Sequence, residues 1–126
     1  MNFTAYASSS KGNLYTLEDG QSSILIDCGL PYRDMQQLLP KPPTSYDACV
    51  ISHLHGDHCN KRSAASLLER GVSVLFGESL RDGVTFGTIR VKSFEVKHDV
   101  PNYGFIFRSS ADGETCIFII DTFYCP

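Results

Sequence analysis

This chain of 126 residues reads as a layered α+β protein, with mostly antiparallel strands in mixed sheets and two helices packed among them. Two Asp-Gly steps, Asp19-Gly20 and Asp112-Gly113, each stand between β-rich runs, and such a step favours a tight hairpin turn with positive φ. Two further runs, Ile24-Leu25-Ile26 and Cys116-Ile117-Phe118-Ile119-Ile120, are continuously apolar, as strands covered on both faces are. Cover of that kind requires helices, and two amphipathic stretches are present to supply it.

Asn13 to Leu17 and Ser22 to Cys28 form the first expected hairpin. A helix follows, with Pro31 in its first position, Met35, Leu38 and Leu39 at helical spacing, and Pro40, Pro42 and Pro43 ending it. Ala48 to Ser52 is a buried strand. Lys61 to Arg70 is the second helix, with Ala64, Leu67 and Leu68 on one face and Gly71 as its stop. Val72 to Phe76 and Thr88 to Val96 are strands, and the change of apolar parity between Val91 and Phe94 predicts a bulge near Ser93. Tyr103 to Arg108 and Thr115 to Asp121 make the second antiparallel hairpin.

The apolar fraction of 42%, with eight Phe and six Tyr, supports a modest core in one domain spanning 1–126 and argues against disorder. Eleven Lys and Arg against 14 Asp and Glu leave a net charge of -3. That balance excludes a protein whose main task is coating nucleic acid, while leaving room for a local basic groove. No apolar run approaches the roughly 18 to 20 residues of a membrane span, and MNFTAYASSS lacks the order of a secretory signal, so a cytoplasmic location without a membrane partner is expected. The five cysteines form no C-x-x-C and sit beside strand-like runs, which reads as reduced thiols.

Chemistry concentrates in Ser52-His53-Leu54-His55-Gly56-Asp57-His58. Three of the four histidines fall within six residues, where composition alone predicts about 0.2. The window leaves a buried strand and precedes a helix, the place where open sheets put their sites. In an extended segment His53 and His55 point the same way and can share one cation, while a turn at Gly56 swings Asp57 and His58 toward a second position. Mixed imidazole and carboxylate donors suit zinc best, with manganese or iron as alternatives.

His98 follows the end of a long strand, from which an imidazole could reach the same metal. Asp121 closes the most apolar run of the chain, where an ionised carboxylate needs a partner or a metal. Asp27 ends another apolar strand and is a candidate to stand behind the ligands and orient an imidazole or the loop. Plainer readings suffice for the neighbours: Ser8 to Ser10 form a turn without a G-x-S-x-G elbow, Cys59 begins a helix, and Lys61 and Arg62 are solvated helix residues.

The pattern His53-x-His55-x-Asp57-His58, followed by His98-Asp99 and by Ile119-Ile120-Asp121-Thr122, resembles the metallo-β-lactamase superfamily of metallohydrolases. Ser8-Ser9-Ser10-Lys11-Gly12-Asn13 and Ser23-Ile24-Leu25-Ile26-Asp27-Cys28-Gly29-Leu30 are similar to the first turn and second hairpin strand of its small bacterial and viral single-domain branch. The resemblance implies an αββα-type layered fold, of which this chain would supply the N-terminal half to two-thirds. It implies His53, His55 and His98 at a first metal, Asp57 and His58 at a second, Asp121 as a bridge, and Asp27 behind them. His55 and Asp57 would carry the catalysis, with a hydroxide between the metals as nucleophile and Asp57 orienting it or moving its proton.

The implied activity is metal-dependent hydrolysis of a phosphodiester, in nucleic acid or a cyclic or small nucleotide. Thioester and lactam hydrolysis use the same cluster. No histidine follows His98, whereas the family's second half brings one more for the second metal. The alternative expectation is therefore a catalytically impaired metal-binding remnant or half-domain. It would act as a binding or assembly module, completed by a second copy or a complementing chain.

Overall fold

The computed structural model describes residues 1–96, 102–119 and 122–124, and these build two five-stranded sheets packed face to face. The first sheet runs in the order β1 (Asn2–Ser9), β2 (Gly12–Glu18), β3 (Ser23–Ile26), β4 (Ala48–Ile51), β5 (Ser73–Phe76). Its first three strands pair antiparallel, and β3, β4 and β5 pair parallel. Parallel neighbours need crossovers, and helices α1 (Tyr32–Leu38) and α2 (Lys61–Glu69) provide them. The second sheet, antiparallel throughout, comprises β6 (Val84–Phe86), β7 (Ile89–Val96), β8 (Asn102–Ser109), β9 (Thr115–Ile119) and β10 (Thr122–Tyr124), each beside the next. Gly20 at φ 92° and Gly113 at φ 74° make the two expected hairpin turns.

Burial explains the continuous apolar run in β3. Ile24 and Ile26 face the second sheet, where Ile89, Val91, Phe105, Phe107 and Phe118 meet them, while Leu25 faces Met35, Leu39 and Leu67 on the helix side. Truncating a fully buried ring such as Phe105 costs about 3–5 kcal/mol. The other apolar run behaves differently from the sequence reading. Cys116 and Phe118 point into the core, but Ile119 is 39% exposed and Ile106 on the neighbouring strand 36%, so the outer face of β8 and β9 lies open. Among the described residues no helix is long and apolar enough to cross a membrane.

Three local expectations need correction. The bulge lies in β1, between Ala5 and Ala7, and β7 pairs with β8 in unbroken register through Ser93. The apolar parity changes there because Phe94 covers its cross-strand partner Gly104, where a Cβ would sit 2.3 Å from Phe94 Cζ. Ser93 keeps the inward position, and its hydroxyl donates to the Gly77 carbonyl. On α2 the buried face is Ser63, Ala64 and Leu67, while Leu68 is 56% exposed. Cys28, Cys49 and Cys59 are free and buried as expected, but Cys116 is disulfide-bonded.

A polar clasp ties the sheets together at the end away from the histidine motif. Asp19, in the β2–β3 turn, accepts from the backbone of Gln21 at 3.0 Å and Ser22 at 2.7 Å. Its other oxygen accepts from the hydroxyls of Thr88 and Ser109, which belong to the second sheet. Burial opposes ionisation, yet the four donors outweigh it and hold the carboxyl well below the usual carboxylate range. A depressed folded pKa contributes stability above the unfolded value of about 4 that is lost as pH falls further. Asp19→Ala is therefore expected to lower unfolding free energy by about 2–3 kcal/mol at neutral pH, read by urea titration. The gap from wild type should narrow as pH falls below about 4.

Candidate functional site

Beyond Ile51 the chain bends at Ser52 and bridges the second sheet at His53 before it turns. His53 forms an isolated antiparallel bridge with Asn102, and the Tyr103 N–H donates to the Ser52 carbonyl at 2.9 Å. The second sheet thus grips the loop that leaves the first. The N–H groups of His58 and Cys59 donate to the His55 carbonyl at 2.9 and 2.8 Å, a helical turn that brings the chain round. Asn60 then caps α2, its side chain accepting from Arg62 and Ser63.

These bonds gather the motif. The His53 and His55 rings lie 4.1 Å apart between centroids, and those of His53 and His58 lie 5.2 Å apart. Asp57 Oδ2 is 3.6 Å from His58 Nε2. His53, His55, Asp57 and His58 therefore come together as the spacing suggests. His98 and Asp121 lie outside the described residues, and among the described residues no group of three His, Cys, Asp or Glu side chains is arranged to hold a metal ion. Cys59 turns away into the helix-side core beside Cys28 and Cys49.

Asp27 is fully buried and is the only non-glycine among the described residues with positive φ, at 64°. Aspartate tolerates that left-handed position better than most residues, at a cost on the order of 1 kcal/mol. The conformation turns its carboxylate under the motif, where Oδ1 accepts from the Ser52 N–H at 2.8 Å and the Ser52 hydroxyl at 3.0 Å. Oδ2 lies 2.8 Å from His58 Nδ1. Burial pushes the Asp27 carboxyl up from its ordinary range, and His58 and the Ser52 donors oppose that rise. With Nδ1 engaged by the carboxylate, His58 presents Nε2 toward Asp57.

Asn13 and Ser52 also touch the motif, through Asp57 and Asp27, and neither stands out as a site residue in the sequence. Asn13 is 2% exposed, and its amide donates to Ser9 O at 3.0 Å and Asp57 O at 2.8 Å, with Asp57 Oδ2 at 3.4 Å. Its carbonyl accepts from Tyr15 at 3.0 Å. The available signal was an amide placed in an otherwise apolar strand, Asn13-Leu14-Tyr15, where burial demands partners. Ser8, Ser9, Ser10, Asn13, Asp57 and His58 line a polar recess of about 270 Å³.

The glycine the loop requires is not Gly56. A Cβ on Gly56 would meet nothing within 4 Å, and its φ is not positive. A Cβ on Gly29 would lie 1.8 Å from the Asp57 carbonyl oxygen and 2.8 Å from the Asn13 nitrogen. Gly29→Ala must therefore push the motif away from the hairpin, and a loss of about 2 kcal/mol or more is expected by urea denaturation. Gly56→Ala should stay within about 0.5 kcal/mol of wild type in the same measurement.

Known proteins are similar to this chain in sequence or in fold. A model of the metallo-beta-lactamase superfamily matches residues 10–61, from the serine-rich turn through the histidine motif. Exodeoxyribonuclease WalJ of Streptococcus pneumoniae is 27% identical over 150 aligned positions, which cover 97% of this chain and 54% of WalJ. The chain thus spans about half the length of these relatives. Among solved structures, the metallo-beta-lactamase fold protein YhfI of Bacillus subtilis superposes with a TM-score of 0.66 at 18% identity, over 91% of this chain and 61% of YhfI. The short form of human tRNase Z gives 0.63 at 14% identity, over 94% and 68%.

Proposed function

We propose, for a chain that has the metallo-β-lactamase fold, that it serves as a metal-dependent hydrolase of phosphodiester bonds in nucleic acid. The observation that carries this reading is the buried Asp27–His58 pair, which leaves His58 Nε2 beside the Asp57 carboxylate and the His58 ring near that of His53, itself packed on His55. A carboxylate behind an imidazole is the arrangement that orients metal-binding histidines. The donor chemistry, three imidazoles and a carboxylate, suits zinc or manganese. The names exodeoxyribonuclease and tRNase Z, borne by similar proteins, support the choice of nucleic acid over thioester or lactam.

In this reading His53, His55 and His98 would hold a first ion and Asp57 and His58 a second, with Asp121 as a ligand shared between them. Divalent ions at such a site supply Lewis acidity toward a phosphoryl oxygen and lower the pKa of water. The chain's own groups do the rest. Asp57, steadied by the Asn13 amide, orients the attacking water and receives its proton on a carboxylate oxygen. Asp27 keeps the His58 ring from turning, so Nε2 needs no reorganisation to act. The hydroxyls of Ser8, Ser9 and Ser10, across the recess from Asp57, donate to non-bridging oxygens of the bound phosphate.

Protein stripped with chelator and reloaded with Zn or Mn is expected to hydrolyse bis(p-nitrophenyl) phosphate, and His55→Ala to lower turnover at least about 100-fold. A folded wild type inert with every metal contradicts the catalytic reading and favours a metal-binding module. Asp27→Asn, which can keep the left-handed backbone, should weaken metal retention about 10–100-fold against a competing chelator while circular dichroism stays unchanged.

A further inference from the structure

On the side of the motif away from the serine turn lies a second recess, of about 240 Å³, shared by the end of β4, the exit of β5 and the start of β8. We propose that it holds the base of the nucleotide whose phosphate is cleaved, and that it prefers bases bearing an exocyclic amino group. The inference rests on the phosphodiester reading above and names the part of the substrate that the histidine cluster does not touch.

The recess has a mostly apolar wall. Ile51 and the Tyr103 ring, 1% and 7% exposed, form the inner part. The Tyr103 ring lies directly on the backbone of Gly77, where a Cβ would come within 2.1 Å of its Cγ. The rim is formed by Leu54, 58% exposed, and Phe76, 39% exposed. Leu54 stands between His53 and His55, so whatever covers this rim also abuts the histidine cluster. A bare phosphate gains nothing from such a surface, whereas a flat aromatic ring gains by burying it. The volume falls below the roughly 300 Å³ at which pockets for drug-sized ligands begin, which suits one ring system.

Polarity sets the orientation. Glu78 lines the recess, and one of its oxygens accepts from the Tyr103 hydroxyl, a contact that pushes the Tyr103 phenol up from its ordinary value. An exposed carboxylate repels phosphate but accepts hydrogen bonds from amino groups on base edges, as acidic side chains do with cytosine N4. Phosphate toward the histidines and base toward Glu78 is the placement that satisfies both charges. Thymine and uracil, which lack an amino group, leave the carboxylate without a donor.

The test is equilibrium binding of a dinucleotide carrying 2-aminopurine to the zinc-supplied chain, read by fluorescence quenching, with an abasic dinucleotide as competitor. The base-bearing probe is expected to bind about tenfold tighter than the abasic one, the size of a stacking contact. Phe76→Ala should abolish that preference and Phe76→Tyr should retain it, while Glu78→Gln should narrow the preference for adenine over thymine dinucleotides. Equal affinity for base-bearing and abasic probes, or an unchanged preference in Phe76→Ala, overturns the inference, as does failure of the dinucleotide to bind. Binding is read without turnover. A chain that prefers the base but hydrolyses no phosphodiester contradicts the proposed function alone, and one that hydrolyses both substrates alike contradicts this inference alone.

Discussion

Asp27 places a carboxylate out of water at a left-handed backbone position, with Ser52 donating to both oxygens and His58 on Oδ2. A buried carboxylate without donors would be costly, so the fold must bring Ser52 and His58 to it. Ser52 is the first residue past β4 and His58 the last of the turn, so satisfying one acid fixes both ends of the seven-residue loop that carries the histidines. The backbone reinforces this, because the Cys28 N–H donates to the His58 carbonyl and the Asn60 N–H to the Cys28 carbonyl. Geometry at the cluster is thus inherited from the rigid β3–β4 pair, and little is left to the loop's own preferences.

The two sheets divide the labour around that loop. The first, buried on both faces at β2, β3 and β4, holds Asp27, Asn13 and the motif from behind. The second reaches over through Asn102 and Tyr103, bridging His53 and supplying one wall of the apolar recess. What results is a histidine cluster between a hydroxyl-lined recess and an apolar one, an asymmetry that suits a substrate with a charged end and a ring. The clasp at Asp19 closes the opposite end of the sandwich, so the sheets are tied at both ends by polar groups and between them by packed aromatics.

Much of this was legible in the sequence because it follows from local rules. Asp-Gly steps gave turns, the apolar run of β3 gave a two-sided strand, and the spacing of His53, His55 and His58 gave a cluster. What was not legible depends on contacts between distant residues. Phe94 covering Gly104 mimics the sequence mark of a bulge, and only pairing with β8 tells the two apart. Gly56 looked like the necessary glycine because it sits in the turn, yet the close approach is made by Gly29, 28 residues from the carbonyl it meets. Asn13 and Ser52 escaped notice for the same reason, since a buried polar side chain declares its role only through its partners. β1 and β6 escaped because their exposed, mixed composition carries little periodic signal.

The His58 tautomer decides whether the site can hold a metal through Nε2. If Asp27 orients His58, the imidazole carries its proton on Nδ1 and its Nε2 lone pair is the one that can be donated to a metal. Long-range ¹H–¹⁵N correlation on histidine-labelled protein measures this directly. The predicted result is a protonated Nδ1 and an unprotonated Nε2 for His58, with Nε2 alone shifting strongly when zinc is added. A proton on Nε2, or a His58 spectrum that zinc leaves unmoved, would contradict the account.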